Sequence, residues 1–212
     1  AVDLEGVKVS RTGEICIIQV GTIDQVYIFD IVHLKALHLS ITDMFSFLED
    51  RLVLKVMFDA RGDSDALYHQ LGIKLTSILD VQILDIAARR TSDQLKSSAE
   101  FRAGLGTVLK DRLKLEMKEF YQVLATETQN TSAIYNKNPK VWKNRPLRQD
   151  FYIYATICVR FLIVVSMDVF LDLSDKWQRK VVRGSELAVK DWRDKNIEVD
   201  RKNRLNAKAP KL

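Results

Sequence analysis

The sequence predicts an α/β domain, a mixed sheet with helices on its faces. Three observations carry this expectation. Short apolar runs with strand spacing fill the first thirty residues. The connections between them are too short for crossovers, so they form an antiparallel meander. Further along, short strand-like runs alternate with helical segments, and residues 151–173 make a long apolar stretch that reads as a helix buried in the core.

Taken in order, residues 1–4 close a strand, and residues 6–13 turn through Ser10 and Arg11. Residues 14–20 and 25–30 are strands. Thr42 caps a helix that runs to about Leu52. Residues 54–58 are a strand, 64–71 a helix, and 79–84 mix a short strand with the next helix start. Residues 86–128 are helical, with a break at Gly104 and Gly106 and an amphipathic segment over 107–120. Residues 129–138 read as a polar loop. After the core helix, residues 175–195 form another helix, which Gly184 weakens in its middle. Its stripe of Trp177, Val181, Ala188 and Trp192 either packs back on the domain or meets a partner. The organisation is one domain over 1–173, followed by a C-terminal helix and basic tail over 174–212.

The 212 residues suffice for one well-filled domain. With 47% hydrophobic and 29% charged residues, composition excludes a disordered chain, and only three prolines and eight glycines exclude a fibrous one. Two cysteines, Cys16 and Cys158, give no disulfide framework, which fits a reducing compartment. No secretory leader is visible. The chain opens abruptly at an acidic pair, as a piece of a longer protein would. The 151–173 stretch carries Arg160, Asp168 and Asp172, which a membrane span tolerates poorly, so no membrane role is expected.

Charge is unevenly placed. The net is +5, yet from Ser174 onward there are twelve Lys/Arg against six Asp/Glu, leaving the first 173 residues near neutral. Within those, Lys137, Lys140, Lys143, Arg145 and Arg148 face only Asp150. Clustered cations of this kind suit a phosphate-bearing ligand, RNA above all. In the tail, the same excess reads as a solvated surface.

Asp3 and Glu5 are two apart on an apolar strand, so they point to one face. Two like charges held that close in a buried setting are costly unless a cation binds them. A divalent metal is the usual solution. Asp63 supplies a further acid in the run Phe58-Asp59-Ala60-Arg61-Gly62-Asp63. His33, His38 and His69 show no ligand spacing and read as surface or packing residues.

Ala1-Val2-Asp3-Leu4-Glu5-Gly6-Val7, followed by residues 13–20, resembles the first motif of the DnaQ-like 3′–5′ exonucleases, which have an RNase H-like fold. Residues 55–68 resemble the second motif, and Leu79-Asp80-Val81-Gln82 the strand that follows it. Trp142-Lys143-Asn144-Arg145-Pro146-Leu147, then Tyr154-Ala155, resemble the third. A Tyr four residues before the last acid marks the DEDDy, RNase D-like subgroup. The wording Arg61-Gly62-Asp63-Ser64-Asp65-Ala66-Leu67-Tyr68 is most similar to the branch of Egalitarian and the exonuclease 3′–5′ domain-containing proteins. The resemblance covers residues 1 to about 173.

The resemblance implies two Mg²⁺ or Mn²⁺ ions about 3.5–4 Å apart that clamp a scissile phosphate. Asp3 would bridge them, Glu5 would hold the ion that activates water, and Asp63 would hold the second. Tyr154 would orient the attacking water. The last acid belongs at position 158, where this chain has Cys158. A thiol with a pKa of about 8.5 is mostly neutral at pH 7, and it is a soft ligand for a hard cation. Asp150 and Asp168 stand too far along the chain to replace it. The expected protein is therefore a catalytically inactive relative with a vestigial site and no tightly bound metal. By resemblance it acts as an RNA-binding adaptor in germline piRNA or mRNA-localisation pathways. Its expected ligand is single-stranded RNA, contacted without regard to sequence. piRNA-pathway protein partners and a cytoplasmic, germ-granule location follow the same resemblance, and homodimerisation is left open. Two alternatives stand beside it: an active metal-dependent 3′–5′ exoribonuclease, and a protein–protein scaffold.

Overall fold

The computed structural model describes residues 1–195 and 208–212. Part of the predicted basic tail, residues 196–207, lies outside the described residues.

The strands β1 (Val2–Val7), β2 (Glu14–Gly21) and β3 (Val26–Asp30) form an antiparallel sheet in the order β1-β2-β3. The predicted meander is present. However, β1 continues past Leu4, where the sequence suggested a turn. Asp3 pairs with Gln19 and Glu5 with Ile17, and the register then slips so that Gly6 faces Ile15. A Cβ on Gly6 would stand 2.0 Å from the Glu14 carbonyl oxygen, so the slip requires glycine there. Alternation does the rest: Val2 and Leu4 are buried in the core, and Asp3 and Glu5 take the opposite face.

Asp30 ends β3 and caps α1 (Ile31–Ala36) by accepting from the His33 amide. The helix predicted from Thr42 to Leu52 is only α2 (Ile41–Met44), followed by a 3₁₀ turn over Ser46–Leu48. Its cap is Ser40, not Thr42, because the Ser40 hydroxyl accepts from the Asp43 amide. A parallel pair, β4 (Lys55–Met57) and β5 (Ile78–Asp80), brackets α3 (Arg61–Leu71), and β4 lies beside β1. The helices α4 (Val81–Thr91), α5 (Leu105–Arg112) and α6 (Leu115–Glu127) follow.

Two further expectations are corrected. The polar loop over 129–138 contains a helix, α7 (Thr131–Lys137), because Ile134 and Tyr135 pack against the core around Trp142. The single long core helix is two helices, α8 (Gln149–Arg160) and α9 (Leu162–Leu171). Between them Phe161 is fully buried, edge-on to Phe120 and Tyr121 with ring centroids 5.9 and 5.8 Å away. The stretch Gln149–Leu171 is long and apolar enough to cross a membrane by length and composition. Here its buried residues meet the sheet and α6: Phe151 and Ala155 pack with Cys16, Ile17 and Trp142, while Ile157, Phe161 and Val165 pack with Tyr121. Gly21 lets α8 approach β2 closely, since a Cβ there would sit 3.3 Å from Val159.

The last helix, α10 (Asp175–Asp194), runs unbroken through Gly184 and packs on α3, α4 and β5. Its C-terminal end is tied down from the opposite end of the chain. Arg11 donates to the carbonyls of Arg193 at 2.9 Å and Lys195 at 2.5 Å. The carboxylate of Asp65, fully buried, accepts from the Arg11 amide at 2.5 Å and from its Nε at 2.9 Å. Asp65→Ala leaves that guanidinium without its counter-charge. A loss of about 3 kcal/mol is expected in urea unfolding, the low end of the range for breaking a buried pair because Arg11 is partly exposed. No loss in unfolding midpoint would mean that α10 is held by apolar packing alone.

Candidate metal and nucleic-acid site

Three elements converge on one pocket. β1 supplies Asp3 and Glu5, the first turn of α3 supplies Asp63, and α8 supplies Cys158. The ligand atoms of Asp3, Glu5 and Cys158 all lie within 4.8 Å of one another. The Cys158 thiol points at Glu5 Oε1, 3.9 Å away. Asp63 lines the same pocket and adds its charge to that felt by Glu5. The four motif positions singled out in the sequence are therefore brought together.

The cavity has a volume of about 750 Å³, within the usual range for ligand sites. Besides the acids it is lined by Lys8, Phe58, Tyr135, Pro139, Trp142 and Trp192. Tyr154 lies one helical turn before Cys158, and its hydroxyl shares a 2.9 Å hydrogen bond with that of Tyr135. Tyr135 forms the wall there. Burial, with Cys158 and Glu5 nearby, pushes the Tyr154 phenol far above its usual range.

The electrostatics follow from crowding acids without a cation. Loss of solvation, then the neighbouring Glu5 charge, raises Asp3 well above the carboxylate range. The same loss, reinforced by Asp63, lifts Glu5 to about 8. Burial and both carboxylates push the Cys158 thiol up as well. Asp80 is a separate case. It is fully buried beneath the pocket loop and reaches about 6, mainly through burial. It accepts from the amides of Asp59, Ala60 and Gln82, so it caps α4 and fixes the loop rather than serving as a ligand.

The basic segment is disposed differently from the acids. Lys143 pairs with Glu14 at 2.8 Å, Arg145 forks onto Asp30 at 2.5 and 2.6 Å, and Arg148 forks onto Asp150 at 3.0 Å. These three fasten the segment to β2, β3 and α8. Lys137 and Lys140 are exposed, next to Asn136 and Pro139 of the pocket wall. Sequence reasoning missed Tyr135, hidden in a stretch taken for loop, and gave Trp192 only a packing or partner role. It also missed Lys8, whose backbone lies in the left-handed region at φ 50°.

The sequence profile of 3′–5′ exonucleases matches residues 1–167. This chain belongs to the 3′–5′ exonuclease family. The exonuclease domain is 33% identical over 150 residues to the mouse piRNA biogenesis protein EXD1, covering 69% of this chain and 25% of that protein. It thus spans about a quarter of the length of the curated relatives it matches. Among solved structures it is similar to Trypanosoma brucei RNase D in complex with GMP, with a TM-score of 0.71 and 27% identity over 91% of this chain and 57% of that one. The same enzyme in complex with RNA U12 gives 0.70 and 26%, over 91% of this chain and 62% of that one. The α/β fold expected from the sequence is the fold of these exonucleases.

The donor set does not fit the pair of Mg²⁺ ions that the family resemblance implies. Mg²⁺ demands oxygen ligands in near-ideal octahedral geometry, and a protonated sulfur stands at one corner of this exonuclease domain's pocket. Two outcomes are expected. Calorimetric titration with Mg²⁺ should show no tight two-site binding, and Cys158→Asp should raise the affinity measurably. Tight binding by the native protein would contradict this assignment.

The second outcome concerns pH. A carboxyl whose pKa is raised by folding keeps its proton longer in the folded chain than in the unfolded one. Stability then falls as pH rises from the ordinary value of 4.5 for Glu5 to about 8. Urea unfolding at steps across that window should show this decline in metal-free protein. Glu5→Gln should flatten it, and an unchanged slope would place the strained carboxyl elsewhere.

Proposed function

We propose that this exonuclease domain binds single-stranded RNA without trimming it, as an adaptor in piRNA biogenesis. The observation that carries the reading is Cys158, whose thiol faces Glu5 where the family resemblance expects a carboxylate. Similarity to EXD1 supports the pathway, and similarity to an RNase D held with RNA supports the ligand class. In this reading Asp3, Glu5, Asp63 and Tyr154 are vestiges of a nuclease site. Raised pKa values leave the pocket less negative near pH 7 than its acid count suggests, which reduces repulsion of phosphate. Lys8 at the pocket, with Lys137 and Lys140 beside it, meets the RNA backbone. Lys143, Arg145 and Arg148 add to the field while holding the segment in shape. piRNA-pathway protein partners, a cytoplasmic or germ-granule location and a homodimer belong to the same proposal.

One observation favours a second reading, an active metal-dependent exoribonuclease: three ligand atoms still converge within 4.8 Å. Labelled single-stranded RNA, incubated with Mg²⁺ or Mn²⁺ and scored for both gel shift and shortening, separates the two. The adaptor shifts RNA and leaves its 3′ end intact. It keeps or slightly gains affinity in Asp63→Asn, which removes an acid from the pocket. Shortening from the 3′ end that Asp63→Asn abolishes would establish the enzyme instead.

The contact mode has its own test. Affinity is expected to fall steeply with salt, and Lys137→Glu with Lys140→Glu should weaken all sequences alike. Affinity indifferent to both salt and charge reversal would remove this segment from the RNA surface.

A further inference from the structure

The pocket has one wall that the acid motifs do not supply. Trp192 stands near the end of α10, beyond the residues matched to the exonuclease family, yet it lines the cavity that holds Asp3, Glu5 and Asp63. It is not there as core. The buried stripe of α10 recurs every fourth residue through Val181, Ser185, Val189 and Arg193, and Trp192 lies beside that stripe, only half-buried. A large indole left partly uncovered at the edge of a cavity loses part of what its burial would contribute.

Its placement is also enforced. Arg61 lies over the indole at 5.0 Å from the ring centre, and Asp59 fixes that guanidinium with contacts of 2.5 and 3.0 Å. Arg11 takes the carbonyls at the end of α10, the Trp192 carbonyl included at 3.4 Å. His69 Nε2 lies 3.1 Å from the Arg193 carbonyl, and the Arg193 guanidinium lies over the Tyr68 ring at 5.4 Å. With the Arg11 guanidinium on its last carbonyls, the negative end of the helix is offset beside the pocket, where it would otherwise repel a phosphate.

We propose that Trp192, backed by Arg61, is a stacking platform for an unpaired nucleobase near the 3′ end of RNA in this pocket. The inference rests on the RNA-binding reading above and gives it a subsite. Arg61 supports one face of the indole and the base takes the other, so the stack runs base, indole, guanidinium. Aromatic platforms of this kind are tolerant of sequence, because every base has a π-face. This suits a ligand contacted without base-edge readout, and it needs no metal.

The probe is a 5′-fluorescein-labelled twelve-nucleotide oligouridylate, measured by anisotropy in EDTA at low salt. A second probe carries abasic riboses at its last two 3′ positions. The native protein is expected to bind the base-bearing probe more tightly. Trp192→Ala should weaken that probe about tenfold and leave the abasic one unchanged, in line with alanine substitutions at other stacking sites. Trp192→Phe should retain most of the affinity, and it also controls for any loss of fold in the alanine variant. Equal affinity of the native protein for both probes, or equal weakening of both by Trp192→Ala while Trp192→Phe behaves as native, overturns the platform and leaves RNA binding standing. If the native protein binds neither probe, the RNA-binding reading falls as well.

Discussion

The crossing of α8 over β1 is the constraint on which the rest depends. It brings a thiol, two carboxyls of one strand and a third from α3 to one cavity, with Cys158 and Asp63 buried and Asp3 and Glu5 half-buried. Charged oxygens packed this way repel one another, and they have lost the solvation that would screen them. Two remedies exist: a cation, or protons. An Asp at position 158 would add a hard negative ligand and favour the cation. Cys158 adds a neutral, soft one and favours protons, which is the direction in which Asp3, Glu5 and Cys158 all move. A thiol at this position thus tilts the pocket toward protons.

Around this strained centre the charged side chains are used as fasteners. Arg11 and Asp65 join the first turn to the last helix, and Asp85 gathers Arg89 and Arg112 at 2.8 Å each. Arg145 and Asp30 lock the segment before α8 to the end of β3. The Asp65 and Asp85 carboxylates are buried, so their value lies less in net stability than in fixing which surfaces meet. The result is that α8 and α10 approach the pocket from separate sides, each held by a specific pair.

Much of the site was legible because it is local. Asp3 and Glu5 alternate on one strand, and Tyr154 and Cys158 lie four apart on one helix, so spacing alone assigns their faces. The antiparallel meander was legible from its short connections. What stayed hidden is tertiary. Residues 129–138 are polar enough to read as loop, and only the burial of Ile134 and Tyr135 against Trp142 makes part of them a helix. The break at Phe161 is invisible in a uniformly apolar stretch, since its cause is the pair of rings that meet it from α6. Clustered cations likewise reveal a charge excess but not their partners. Glu14 and Asp30, more than a hundred residues away in sequence, pair with Lys143 and Arg145 in the structure.

Metal chemistry and ligand binding make different demands on the same pocket. Holding Mg²⁺ requires every ligand atom at its place and of the right hardness, so a single substitution is decisive. Holding a nucleic acid strand requires walls: aromatic faces, a few cations and room. Phe58, Tyr135, Trp192 and Lys8 line this pocket from four different segments, with the buried Trp142 behind them. Tyr135 is braced by Tyr154 and Trp192 by Arg61, so these two wall residues are positioned by protein contacts alone. In the proposed function, a pocket built in this way needs its walls, not a fourth carboxylate, to hold a strand.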